Sequence, residues 1–226
     1  DVVNFESFKE NEKYDDYEYF IEAILETSFI IELLDNSFDY YQIIKNDILS
    51  IRASWEKFLQ LYGSEESVEL LNFFSGKCFG FFQKSLNDSI VLSILRLLDP
   101  HKQGKNNINL TIETLVIEYK DTRIDSKLQT IYSKLKEESE SLKEYRNKKL
   151  AHQDHVTKLE DKTFLSIGKG IIENIFDLFQ EFMNEIEDCN GITKCNYKSM
   201  IFDINADCKS LLFKIEDYKR IKESIK

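Results

Sequence analysis

The chain has 226 residues, with 41 acidic and 30 basic side chains, seven glycines and one proline. So little turn-forming material excludes an all-β sandwich or barrel, and no apolar run approaches the ~20 residues of a membrane span. Apolar residues at 42% and charged residues at 31% suit a soluble globular protein of one large or two small domains.

The charge is unevenly placed. Residues 1–40 hold 12 Asp/Glu and two Lys, which leaves 29 acidic and 28 basic side chains in the rest. The net charge of −11 therefore belongs to an N-terminal segment, read as an acidic helical piece over 1–36. Within it, Tyr17, Phe20, Ile21, Ile24, Leu25, Ile31 and Leu34 recur at helical steps over 14–34. Such a segment is either a peripheral solvated helix or a shield or lure for a partner.

A second helix is predicted over 38–62 through Tyr41, Ile44, Ile48, Ile51, Trp55, Phe58, Leu59 and Tyr62, stopped by Gly63. Ser64 with Glu65 and Glu66 opens a long apolar helix over 65–98, in which Gly76 and Gly80 would allow a kink or a close neighbour. Arg96 and Asp99, three apart near its end, read as a structural ion pair, with support of a functional groove as the alternative. Asp99-Pro100 ends it, and His101 to Asn109 is a polar loop in which His101 is expected to be solvated. A short helix follows from Thr111 to Tyr119. A longer one is predicted over 122–151, with Ile124, Leu128, Ile131, Leu135, Leu142 and Tyr145 on one stripe and Glu138 interrupting it. The last strong helix covers 163–188. The tail, 189–226, opens with an Asn190-Gly191 turn, has a strand-like alternation at Met200, Phe202 and Ile204, and ends in a helix over 207–223.

Four cysteines form no CxxC pair, and no His lies near Cys189, Cys195 or Cys208. Zinc is not expected, and reduced thiols in a cytoplasmic protein are, with one tail disulfide as the alternative. No basic, apolar and small-residue series marks a secretory signal, and a start at Asp1 rather than Met leaves processing or trimming open. These readings give an all-α, up-and-down helical bundle with aromatic faces as its core.

One stretch carries chemistry: Tyr145-Arg-Asn-Lys-Lys-Leu-Ala-His-Gln-Asp-His155. Lys143, Arg146, Lys148 and Lys149 face only Glu144 in sequence, which by itself describes a solvated helix face. His152 and His155, with Asp154 near, have metal-ligand spacing, but no further ligand is fixed. They also suit a helix C-terminus, where the dipole favours cations.

A third reading is more specific. Arg146 followed by Asn147 and, after five intervening residues, by His152 resembles the signature of HEPN domains. Phe73-Phe74, the run Ser89 to Asp99, the Asn109-Leu110-Thr111 helix start and Arg146 to Asp154 are similar to the abortive-infection, AbiU-type branch. The resemblance covers roughly 44–188. It implies a HEPN-type bundle over 37–188, flanked by N-terminal and C-terminal helical additions.

The resemblance further implies a metal-independent endoribonuclease without cofactor, a toxin or antiviral effector acting in the cytoplasm. Arg146 and His152 match the catalytic positions and Asn147 the polar position beside the arginine. Lys143, Lys148 and Lys149 would supply RNA-binding charge. RNA is the implied partner, with a homodimer and an antitoxin or another defence protein as further partners. A catalytically silent HEPN scaffold, or a helical interaction protein outside the family, is the alternative. In one variant of the family a Tyr two residues after the His is modified by a partner enzyme. Asp154 stands there in this chain, which argues against that mode of silencing.

The residue types suit the chemistry independently. RNA can be cut without a metal when its 2′-OH attacks the adjacent phosphate. That step needs a proton shuttle working near neutral pH and a fixed cation for the charge on phosphorus. On a continuous α-helix, however, His152 would point about 120° away from Arg146 and lie about 9 Å along the axis. The helix must therefore end or bend between them, or two copies must share a site. Tyr145 is expected in the core rather than as a base-stacking platform.

Overall fold

The computed structural model describes residues 39–104, 107–151, 168–199 and 207–225, with side chains left out at 149–151. The chain divides into two units, 1–41 and 42–226. Of the first, only 39–41 are described, as helical backbone. Residues 189–226 belong to the same unit as the bundle.

The expected all-α architecture holds. Helix α1 runs over 39–62 and buries Ile44, Ile48, Ile51 and Trp55 at three- and four-residue steps. Gly63 ends it by donating its N–H to Leu59 O at 2.8 Å, where an added Cβ would stand 2.3 Å from the same oxygen. Ser64 then caps α2 (Glu65–Leu97), its Oγ accepting from Ser67 N, with Glu65 and Glu66 in the first turn. A kink falls at Ser75 (φ −165, ψ 75), directly before Gly76. At Gly80 no neighbour approaches, since a Cβ there would meet nothing within 4 Å.

The polar loop contains the only sheet among the described residues. Strands β1 (Lys102–Gln103) and β2 (Asn107–Ile108) pair antiparallel, Lys102 opposite Ile108 and Gln103 opposite Asn107. His101 is not simply solvated. It is half-buried, its N–H donates to Glu113 Oε2 at 2.6 Å, and its Nδ1 lies 2.9 Å from Thr114 Oγ1. Short polar side chains of the following helix, α3 (Ile112–Glu118), thus close the loop.

The predicted helix over 122–151 is three pieces. Asp121 takes a left-handed conformation (φ 62) and delays α4 to Asp125–Glu138. A break at the buried Ser139 separates it from α5 (Glu140–Tyr145), and a π-helical turn occupies Arg146–Ala151. The break explains the interrupted stripe. Glu138 turns aside and accepts a hydrogen bond from Asn174 Nδ2 at 3.0 Å. Helix α6 (Lys169–Cys189) packs on α4 and buries Ile172, Ile175, Phe176, Phe179, Phe182, Met183 and Ile186. Each such side chain contributes about 1.5–3 kcal/mol of transfer free energy.

Gly191 (φ 63) ends α6, and Ile192 N donates back to Glu187 O. The chain then lies along α6 as far as residue 199. Tyr197 is fully buried, and the four thiols, including those of the tail, are free. Helix α7 (Cys208–Ser224) is capped by Asp207 and packs on α2. The strand-like alternation at 200–204 and the helix expected over 14–34 lie outside the described residues.

Candidate functional site

The site begins at the end of α5. Leu142 and Tyr145 are buried, which turns the same helical segment's polar residues outward. Tyr145 occupies the core side as expected, and its hydroxyl donates to Asp88 Oδ1 at 2.5 Å, with Asn87 Nδ2 at 3.4 Å. Burial, reinforced by the Asp88 carboxylate, raises the Tyr145 hydroxyl above its ordinary pKa of 10. Tyr145 is therefore a fixed donor at neutral pH and no proton shuttle.

Arg146 is the next residue and begins the π turn. Its side chain is one-third exposed. Nη1 lies 3.4 Å from Asp99 Oδ1, and Nε lies 3.4 Å from Asn147 Oδ1. The expected Arg96–Asp99 pair does not form. Leu98 leaves the α-helical conformation (φ −104, ψ 1), and Asp99 closes a tighter turn with its N–H on Arg96 O at 3.4 Å. Arg96 instead pairs with Asp47 of α1 at 2.9 Å, and Asp99 is left for Arg146.

The basic run is less bare than its sequence suggests. Lys143 pairs with Glu140 at 2.6 Å, and Lys148 pairs with Glu144. These pairs are exposed and therefore weakly held. The side chain of Lys149 lies outside the described residues, as do His152, Asp154 and His155. The α-helical geometry assumed between Arg146 and His152 does not apply, because the α-helix stops at Tyr145. π-Turns of this kind recur at functional positions.

Beside the Tyr145–Asp88 bond, an open groove of about 630 Å³ runs along α2, lined by Ser85, Asp88, Ser89, Leu92, Ser93 and Arg96. Asp88, which holds Tyr145, is a residue that sequence reasoning missed, while Asp99, which the sequence offered together with Arg96 as support of the groove, holds Arg146 instead. Asp99 carried a signal, an acidic residue at a helix end before Pro100. Asp88 carried none. Among the described residues no group of three His, Cys, Asp or Glu is placed to hold a metal ion, and no helix is long and apolar enough to cross a membrane.

No curated protein matches the chain, and no solved structure does. The AbiU2 family model of HEPN domains matches residues 38–193, most of the chain and all of the geometry just described. The reading as a helical protein outside this family is thereby removed, and the chain belongs to the AbiU2 family of HEPN domains.

Proposed function

We propose that this chain is a metal-independent endoribonuclease of HEPN type, a toxin or antiviral effector. In this reading the 2′-OH of RNA attacks the adjacent phosphate, His152 moves the protons, and the Arg146 guanidinium meets the charge that builds on phosphorus. Products are a 2′,3′-cyclic phosphate and a 5′-OH. Asn147 orients Arg146, while Lys143, Lys148 and Lys149 hold the RNA backbone. A homodimer doubles this charge.

The observation that carries the reading is Arg146, in the family's signature position. Its guanidinium is partly exposed and steered by Asp99 where the α-helix opens into the π turn. The test is incubation of the full chain with total RNA in EDTA, beside Arg146→Ala and His152→Ala, with end-group analysis of the fragments. Cleavage by the parent with cyclic-phosphate ends, lost in both variants, is expected. Equal cleavage by all three removes the nuclease.

A second reading is a catalytically silent HEPN scaffold. The ion pairs Lys143–Glu140, Arg146–Asp99 and Lys148–Glu144 favour it, since each described cation of the run already faces a carboxylate. It predicts RNA or protein binding that survives His152→Ala, and no cleavage.

A further inference from the structure

The other half of α2 presents a problem that the Arg146 site does not solve. Between Leu71 and Ser85 the helix is crowded with apolar side chains, Phe73, Phe74, Cys78, Phe79, Phe81 and Phe82, alongside the polar Asn72, Lys77, Gln83 and Lys84. Phenylalanine is among the side chains most often buried. Here Phe81 is 67% exposed, Phe74 52% and Phe82 50%. Among the described residues, cover comes from α1, through Tyr62 on Phe79 O, and from α7.

Helix α7 lies outside the AbiU2 match and extends the surface rather than closing it. Its Tyr218 meets Phe74 edge-on at 5.8 Å, while Lys219 and Lys222 lie 5.6 and 5.3 Å from the centre of the Phe73 ring. Leu211, Tyr218 and Ile221 share one exposed side of α7 at helical spacing. Rings exposed to this degree leave on the order of 500 Å² of apolar surface, the size at which a patch marks an interaction site.

The charge around it is opposite to that of the whole protein. Residues 70–87 carry Lys77 and Lys84 and no acid, and α7 carries five basic against three acidic side chains. Together they hold +4 in a chain of net −11. A second copy of this surface would set lysines against lysines. Nucleic acid fits poorly too. The rings stand edge to face, at 61° for Phe74–Phe79, 79° for Phe79–Phe82 and 81° for Phe74–Tyr218, which leaves no base-wide slot, and the patch runs on into aliphatic side chains.

We propose that the α2–α7 surface centred on Phe74, Phe81, Phe82 and Tyr218 docks an acidic amphipathic helix of a partner protein. The partner's apolar stripe fills the space between the two helices, and its carboxylates meet Lys77, Lys84, Lys219 and Lys222. This surface is separate from the Arg146 site and does not require that the chain cut RNA.

The test uses the full chain and a fluorescent 20-residue helical peptide with Leu at three- and four-residue steps and Glu elsewhere. The same peptide with Lys for Glu, and a 20-mer of uridine, serve as counter-probes. The Glu peptide is expected to bind at least tenfold more tightly than the Lys peptide. Phe81→Glu with Phe82→Glu, both exposed in the folded chain, should weaken it at least tenfold with an unchanged helical circular dichroism. Lys77→Glu with Lys84→Glu should narrow or reverse the preference, and Arg146→Ala should leave it unchanged. Absent binding, or equal binding of both peptides, overturns the proposal. So does uridine binding lost with Phe81 and Phe82, which gives the surface to nucleic acid. A parent dimer made monomeric by the double Phe variant gives it to a second copy and overturns it as well.

Discussion

The Tyr145 hydroxyl donates to Asp88 at 2.5 Å and ties the last turn of α5 to the middle of α2, one residue before the arginine of the signature. Tyr145→Phe removes the donor and leaves a half-buried carboxylate short of a partner. The expected cost is about 1.5–3 kcal/mol in urea unfolding, as for a charge-assisted hydrogen bond. Burial of this hydroxyl, reinforced by the bond, sets a pH dependence. The folded pKa of Tyr145 is raised above its unfolded value of 10, so the contribution is fully present below pH 10. It is lost as pH rises from there through the folded value. Stability should therefore fall on the alkaline side above pH 10, less steeply in Tyr145→Phe. An identical alkaline slope in both proteins refutes the assignment.

Asp99 steers Arg146 by a partly exposed contact, so its removal should hardly touch stability. Asp99→Asn is expected to shift unfolding by less than about 0.5 kcal/mol, as for surface ion pairs. On the nuclease reading it should still lower cleavage, because a loosely held guanidinium meets the developing charge less often. Arg146→Ala should cost more, about 10²–10³-fold, the range for loss of one preorganised stabilising group. Cleavage assays alongside thermal melts separate the two effects. A large loss of melting temperature in Asp99→Asn would make Asp99 a structural residue instead.

Much of this was legible in the sequence, for reasons that differ by residue. The helices follow from apolar spacing, and the family from Arg146, Asn147 and the stretches around them. The ion pairs were not legible. Arg96 and Asp99 look like neighbours because an i,i+3 pair shares a helix face, but that holds only while the backbone stays helical. Leu98 departs from it, and the two side chains pair instead with residues 49 and 47 positions away in sequence. Glu138 gave a visible signal, a charge on an apolar stripe, but not its meaning as a helix break. His101 lay in a stretch whose composition says loop, and only the fold brings Glu113 and Thr114 beside it.

Buried polar groups on α6 form another feature that periodicity does not reveal. Gln180 Nε2 donates to Cys195 O at 2.8 Å, and its Oε1 accepts from Tyr197 N at 2.7 Å. The fully buried Glu187 accepts from Cys195 N at 3.0 Å and from Tyr197 OH at 2.6 Å. Residues 195–197 thus have no strand partner and use two side chains in place of a ladder. Gln180→Ala leaves a backbone N–H and a carbonyl unsatisfied and should cost about 2–3 kcal/mol. It should also open residues 192–199 to limited proteolysis before global unfolding. Unchanged protease resistance would show that the segment is held by Tyr197 packing alone.

Gly80 offers a stabilising change. It sits mid-helix in α2, where glycine costs roughly 0.5–1 kcal/mol against alanine through backbone entropy in the unfolded chain. A Cβ placed there meets nothing within 4 Å, so the folded state accepts it without strain. Gly80→Ala should therefore raise stability by about that amount in denaturant unfolding. Gly63→Ala is the contrast, since its Cβ would fall 2.3 Å from Leu59 O and must displace the end of α1. That variant should be destabilised. If Gly80→Ala instead loses stability, some group packs against Gly80 in solution, and the exposed middle of α2 is already covered in the free protein.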